Sequence, residues 1–289
     1  MRAGRPTLRE PSIERAMTPD LLATSGLAGS ALTDAIADAR TTALRLLLLT
    51  PRPWVMFQVA PFLSPALIPG SIRRGLVLMI ALLTLPLASD VVALPVADMA
   101  VLMFKEALVG LMLGLGMGVF VWAVQSVGDF IDFHTGASNA AFFDPAFGHQ
   151  GGPTGQFLGW LAMALFLTSG GLVTVMGLLV ESYRVWPQGA LTPDLTRLIA
   201  VFAIHEGESL FTWIVKLGAP VLLILMLVDM GLGLIGRFVP QLNIFIISQP
   251  LKSLVAVFML LVSLGLLYET LHEFMRPDAS VLHLLHPAS

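Results

Sequence analysis

Apolar residues run along this chain in blocks too long for a water-facing helix, and the polar positions gather into a few breaks between them. Residues 107–128 and 145–180 contain no Asp, Glu, Lys or Arg, and shorter clear runs cover 53–72, 75–89, 217–228 and 253–268. Crossing the hydrocarbon core of a bilayer takes about 20 mostly apolar residues. The first two runs qualify outright; the others qualify once flanking charges snorkel or sit inside a bundle. Six hydrophobic segments are expected, the fifth (198–236) long enough to be bent or broken. The predicted fold class is all-α, a polytopic membrane protein with broken helices.

Proline and glycine divide the pattern further. Pro51, Pro53 and Pro61 interrupt the first segment, 43–63, because each removes a backbone donor. The second helix is expected from Ile72 to Pro86 or Asp90, and a connector from Ser89 leads to a third running from Asp98 to about Asp132. The fourth follows Gly151-Gly152-Pro153, with proline in its first turn, and ends at Arg184 to Pro187. Thr192-Pro193-Asp194 opens the fifth, and Pro220, Gly231, Gly233 and Gly236 predict a bend in it. Pro240 to Pro250 reads as an irregular stretch before a last helix from Leu251 to about Phe274. Three regions are therefore expected: a poorly ordered arm over 1–40 with an amphipathic piece from Leu21 to Ile36, a helical domain over 41–276, and a loose tail over 277–289.

Composition supports the membrane class. The chain has 289 residues, of which 56% are hydrophobic and 12% charged, with mean hydropathy +0.84. A soluble domain carries about 25% charged residues, so this one lacks the means to cover a water-facing surface. It has no cysteine, which excludes disulfides and thiolate metal sites. The first 20 residues contain no apolar core of a secretory leader, so no cleavable signal peptide is expected. Arginines crowd the first 74 residues, which argues for a cytoplasmic N-terminus. Arg73 and Arg74 nevertheless follow the first segment, where that orientation puts the opposite side, and the topology stays open.

The candidate chemistry lies in the breaks. Asp129, Asp132, His134 and Asp144 precede or sit within a Gly/Pro-punctuated loop, Gly136 to Gly148, with no Lys or Arg near them. Irregular polar backbone between membrane helices is tolerated where protein buries it or an aqueous path wets it. The chain is therefore expected to be built around a conduit or gate. The acids fit a proton relay or cation site, or boundary positions beside water; Asp144-Pro145 also fits turn initiation. Phe142, Phe143 and Phe147 fit a plug packed on itself, or a re-entrant loop anchored at the interface.

Lys105 and Glu106 are adjacent, so they point in different directions and each is expected to find its partner elsewhere. They read as a polar lock between helices or subunits, or as snorkelling residues. Gly110, Gly114 and Gly118 recur on one helix face and read as a seam within the chain or between subunits, or as ordinary glycine enrichment.

No catalytic constellation is complete. Gly231-Leu232-Gly233-Leu234-Ile235-Gly236 has the spacing of a dinucleotide fingerprint but no βαβ unit around it. His205-Glu206 lacks the second histidine of a zincin helix, and Thr168-Ser169-Gly170-Gly171 offers a serine without a base. No enzymatic activity, cofactor or metal is expected. A self-contained secondary transporter with discontinuous helices is the alternative class, and a membrane-embedded hydrolase is a third.

Three separated motifs carry a resemblance. Lys105-Glu106-Ala107-Leu108-Val109-Gly110-Leu111, Phe143-Asp144-Pro145-Ala146, and Gly236-Arg237-Phe238-Val239-Pro240-Gln241-Leu242-Asn243-Ile244-Phe245 stand in order along the chain. Together they resemble the T subunit of the type III secretion export apparatus, SctT, whose flagellar counterpart is FliR, over about 42–275. Ser248-Gln249-Pro250-Leu251-Lys252-Ser253 resembles the injectisome branch, which serves virulence.

The resemblance implies a non-enzymatic core subunit of a protein-export gate in the bacterial inner membrane, within the secretion-system base. It implies a conical helical complex with the R and S subunits, SctR and SctS, beside the switch protein SctU. Lipid and export substrates in transit are the other implied contacts, and nucleic acid is not. By position, Gly136, Asn139, Phe142, Phe143, Asp144, Pro145 and Phe147 fall in the plug loop. Lys105, Glu106, Arg237 and Lys252 would serve as polar locks or subunit contacts. Pro240, Gln241, Asn243 and Pro250 would belong to a hairpin at the cytoplasmic entrance.

Overall fold

Proline sets the first breaks of the backbone. The computed structural model describes residues 18–64, 67–88, 95–137, 152–189, 195–239, 241 and 243–275, and the regular structure among them is helical throughout. Helix α1, Thr18–Leu49, gives way at Pro51 to the short α2, Pro51–Val59, and Pro61–Leu63 adds one 3-10 turn. Next come α3, Gly70–Thr84, with a 3-10 turn at Leu85–Leu87, and α4, Val96–Thr135. Then follow α5, Pro153–Thr168; α6, Gly171–Val185; α7, Leu195–Phe238; and α8, Ile244–Phe274.

The organising element is α4. Its 40 residues span about 60 Å at 1.5 Å per residue, roughly twice the hydrocarbon core of a bilayer. It is apolar on all sides rather than striped, as suits a helix surrounded by others. Helices α2, α5, α7 and α8 pack around it, burying Val109, Leu113, Phe120, Val124, Val127 and Ile131. The helix stops where Gly136 adopts φ 77°, a left-handed conformation that glycine enters without steric cost.

Several expectations change in detail. Among the described residues, four stretches are long and apolar enough to cross a membrane: Gly70–Leu87, Ala97–Thr135, Glu206–Phe238 and Ile246–Phe274. A fifth counts if α5 and α6, bent by 71°, form one broken span. The first expected segment does not qualify, because its prolines leave α2 nine residues long, docked on α4. The fourth is not continuous, since Gly170 at φ +87° turns the chain between α5 and α6. Pro220 lies inside α7 and Pro250 inside α8, so the irregular stretch expected up to Pro250 ends earlier, at Asn243. The arm expected over 1–40 is helical from Thr18 onward.

Large apolar side chains remain on the outside. Phe211, Leu223, Leu227 and Leu234 of α7 and Leu254, Phe258, Leu261 and Val262 of α8 are exposed. Such continuous apolar faces suit lipid or partner helices rather than water.

Candidate functional site

Two groups of buried polar residues lie along α4. The first lies near its start. Helix α2 begins immediately after α1, which puts Arg52 in its opening turn and its side chain, 0% exposed, against α4. Arg52 Nε stands 2.8 Å from a Glu106 carboxylate oxygen. Its Nη1 donates to Ser182 Oγ at 2.9 Å, and its Nη2 donates to the Trp186 carbonyl at 3.1 Å. The guanidinium also lies 4.1 Å over the Tyr183 ring, whose hydroxyl donates to the Leu49 carbonyl at 2.9 Å.

Lys105 completes the cluster. Its Nζ is 3.1 Å from the other Glu106 oxygen and donates to the carbonyls of Pro187 and Gln188, each at 3.0 Å. The two neighbours therefore do bond each other, contrary to the expectation from their directions on the helix. Both side chains are long enough to converge although their Cβ atoms diverge. Two cations share one carboxylate, and backbone carbonyls and a serine hydroxyl take the remaining protons, as buried charge requires. The cluster ties the α1–α2 junction, α4 and the end of α6 together. It contains no nucleophile paired with a base.

Just below, glycine lets backbones touch. A Cβ at Gly110 would run into the Arg52 carbonyl, and one at Gly114 would reach the Met56 carbonyl at 3.0 Å and Val59 Cβ at 3.1 Å. These two glycines face α2. Gly118 does not; the indole of Trp122, one turn along the same helix, covers it. A second close approach, Gly128 against Gly155, brings α5 onto α4.

The other polar place is the far end of α4. Asp132, fully buried, accepts a hydrogen bond from the Gly155 N–H at 2.9 Å. A carboxylate at that position complements the positive N-terminal end of α5. Asp129, one turn earlier, presses its carboxylate against Gly155. The pair therefore holds a helix start, and the described residues contain no cluster of three or more acids or histidines fit for a metal.

Lys252 of α8 pairs with Asp229 of α7 and donates to the His134 carbonyl at 3.3 Å. The α7–α8 turn thus lies at the end of the bundle where α4 stops and α5 begins. Beside it opens an apolar groove of about 620 Å³ between α4, α5 and α8, lined by Ile131, Phe157, Leu161, Ala256 and Leu260 among others.

The other expected site residues divide in two. Arg237, Gln241, Asn243 and Pro250 are exposed near the α7–α8 turn, and Gly136 caps α4. Asn139, Phe142, Phe143, Asp144, Pro145, Phe147 and Pro240 lie outside the described residues. Arg52, Ser182, Tyr183 and Trp186 escaped the sequence reading. The one local signal was an arginine between two prolines in an otherwise apolar stretch.

Long apolar helices around a central helix, with a buried ion cluster docking helix to helix, define a polytopic α-helical membrane protein. The profile of the family described as "Bacterial export proteins, family 1" matches residues 43–277, and the chain belongs to that family. It is 30% identical over 218 residues to the Yop proteins translocation protein T of Yersinia pestis, covering 74% of this chain and 84% of that one. It is 34% identical over 209 residues to the surface presentation of antigens protein SpaR of Salmonella typhimurium, covering 71% and 77%. Identity to the flagellar biosynthetic protein FliR of Bacillus subtilis is 36% over 168 residues, covering 58% and 65%. The resemblance to the SctT and FliR family, drawn from three motifs, agrees with these matches. None of these names carries an enzymatic activity.

Proposed function

We propose that this chain is a non-enzymatic core subunit of a type III protein-export gate of the injectisome kind, in the bacterial inner membrane. It would assemble with SctR and SctS and help form and seal the channel through which unfolded substrates pass. The Gly136–Gly148 loop is the seal, with Phe142, Phe143 and Phe147 packing across the passage until a substrate displaces them. The turn with Pro240, Gln241 and Asn243, together with Pro250 in the first turns of α8, faces the entrance, where SctU docks. The helical domain over 41–276 carries these roles.

One observation supports the seal above the others. The hydrogen bond from Gly155 to Asp132 ties the start of α5 to the last turns of α4. The loop between them therefore leaves and returns at one fixed place, and a seal needs that anchorage because a drifting loop would leak. Lys252 brings the α7–α8 turn to the same end through the His134 carbonyl.

The experiment replaces residues 137–147 with a short Gly/Ser linker and records conductance of assembled complexes in planar bilayers. Ion leak should rise in the variant. Unchanged conductance would remove the plug from the proposal and leave family membership intact.

A further inference from the structure

The groove of about 620 Å³ between α4, α5 and α8 takes no part in the contacts described so far. Its walls are apolar, and two of the hydroxyls that line it are already used. Thr135 Oγ1 donates to the Ile131 carbonyl and Ser253 Oγ to the Gln249 carbonyl, each at 3.0 Å. Phe157, Val257 and Leu261 line it while staying largely exposed. Such a surface selects an apolar or aromatic occupant and offers nothing to hold a charge.

The position of the groove names that occupant. The chain leaves α4 at Ala137 and enters α5 at Pro153, and both residues line the groove. The hydrogen bond from Gly155 to Asp132 fixes the return. Residues 138–151, outside the described residues, therefore begin and end at its mouth. No other segment outside the described residues starts or ends beside a lining residue. Phe142 stands five positions after Ala137, and Phe147 five before Gly152. Five residues reach about 17 Å at about 3.4 Å each. The groove runs about 12 Å along α5, from Pro153 to Leu161 at 1.5 Å per residue, so both rings have the reach to enter it from their anchors.

A phenylalanine pushed out of a passage needs an apolar place to go, because an opened channel would leave its ring in water. A groove at the segment's own anchors supplies that place, and the short tethers keep the loop-closure cost small. We propose that residues 138–151 dock Phe142 and Phe147 in this groove, among Phe157, Leu161, Ala256 and Leu260, when a substrate occupies the passage. The inference rests on the seal described above. It gives the segment a second burial site, so that a substrate moves the rings from one apolar place to another instead of releasing them into water.

The chain has no cysteine, so the pair Ala141→Cys and Leu260→Cys reports docking by disulfide formation in the assembled complex, with all three phenylalanines kept. Complexes are compared at rest and with a substrate stalled in transit by a fused, stably folded domain. Stalled complexes should form the disulfide about tenfold more than resting ones, the low end of the preference that burying one phenylalanine confers. Ala141→Cys with Val215→Cys, on the exposed surface of α7, should stay unlinked in both. Equal yields for the two pairs, or no disulfide in the stalled state, would overturn the proposal. So would a photo-crosslinker at Leu260 that captures a neighbouring subunit or a lipid in stalled complexes. Full linkage already at rest would overturn it and remove the seal as well. Val257→Trp, which fills the groove from its exposed side, should slow secretion several-fold while the resting complex stays tight; secretion at the wild-type rate would count against docking. The seal is judged separately, by the resting conductance of the linker variant.

Discussion

Arg52 and Glu106 face each other at 2.8 Å from different helices, and neither side chain reaches solvent. The pair joins α2 to α4 at the point where Ser182 and Trp186 bring in the end of α6. Three segments distant in sequence are thus registered by one carboxylate and one guanidinium.

Removing that carboxylate strands two cations. Glu106→Gln should lower stability by about 3–5 kcal/mol, the cost of breaking one side of a buried pair. Lys105→Met should be milder, because Arg52 and Glu106 still neutralise each other. Thermal unfolding in detergent with yield of assembled complex reads both. A Glu106→Gln protein as stable as wild type would show that the cluster is not holding the helices.

Glycines on this scaffold should respond oppositely to the same added methyl. Gly110→Ala forces a methyl into the Arg52 carbonyl, and overpacking of this kind costs about 1–3 kcal/mol. Gly177→Ala meets nothing within 4 Å and should stabilise α6 by up to about 1 kcal/mol. Unfolding midpoints of the two variants compare them directly. Equal shifts would mean that α2 does not lie on α4 at Gly110.

Lys252→Glu should loosen the α7–α8 turn from the end of α4. The change sets a negative charge against Asp229 and removes the donor to the His134 carbonyl. Asp229 is 40% exposed, so solvent screening limits the loss to about 1 kcal/mol. The expected effects are faster hydrogen exchange over 244–256 and weaker secretion with little change in global stability. Combining Lys252→Glu with Asp229→Lys should recover the exchange protection; failure to recover it would assign the defect to another contact of Lys252.

Local pattern located the helices well because long apolar blocks and their terminators act locally. The third segment expected from Asp98 to Asp132 is Val96–Thr135, since one charge-free run and one glycine stop bound it. Prolines at 51 and 61 break the backbone where they stand. Pro220 and Pro250 do not end their helices, because a proline's missing bond can be tolerated when the rest of the helix continues on both sides. The bend at Gly170 was invisible for a related reason: Ser169-Gly170-Gly171 permits a sharp turn and equally permits close packing.

The amino-acid order by itself determined an all-helical membrane protein, its family motifs and which few residues had to be polar. Tertiary structure decided which of those residues meet. Glu106 finds Arg52 across 54 positions and Arg52 finds Ser182 across 130, while Lys105 folds onto its own neighbour. Exclusion of water obliges each buried charge to take a partner, a demand legible from composition alone. The choice of partner depends on how backbones approach at Gly110, Gly114 and Gly155, which only the packed chain settles.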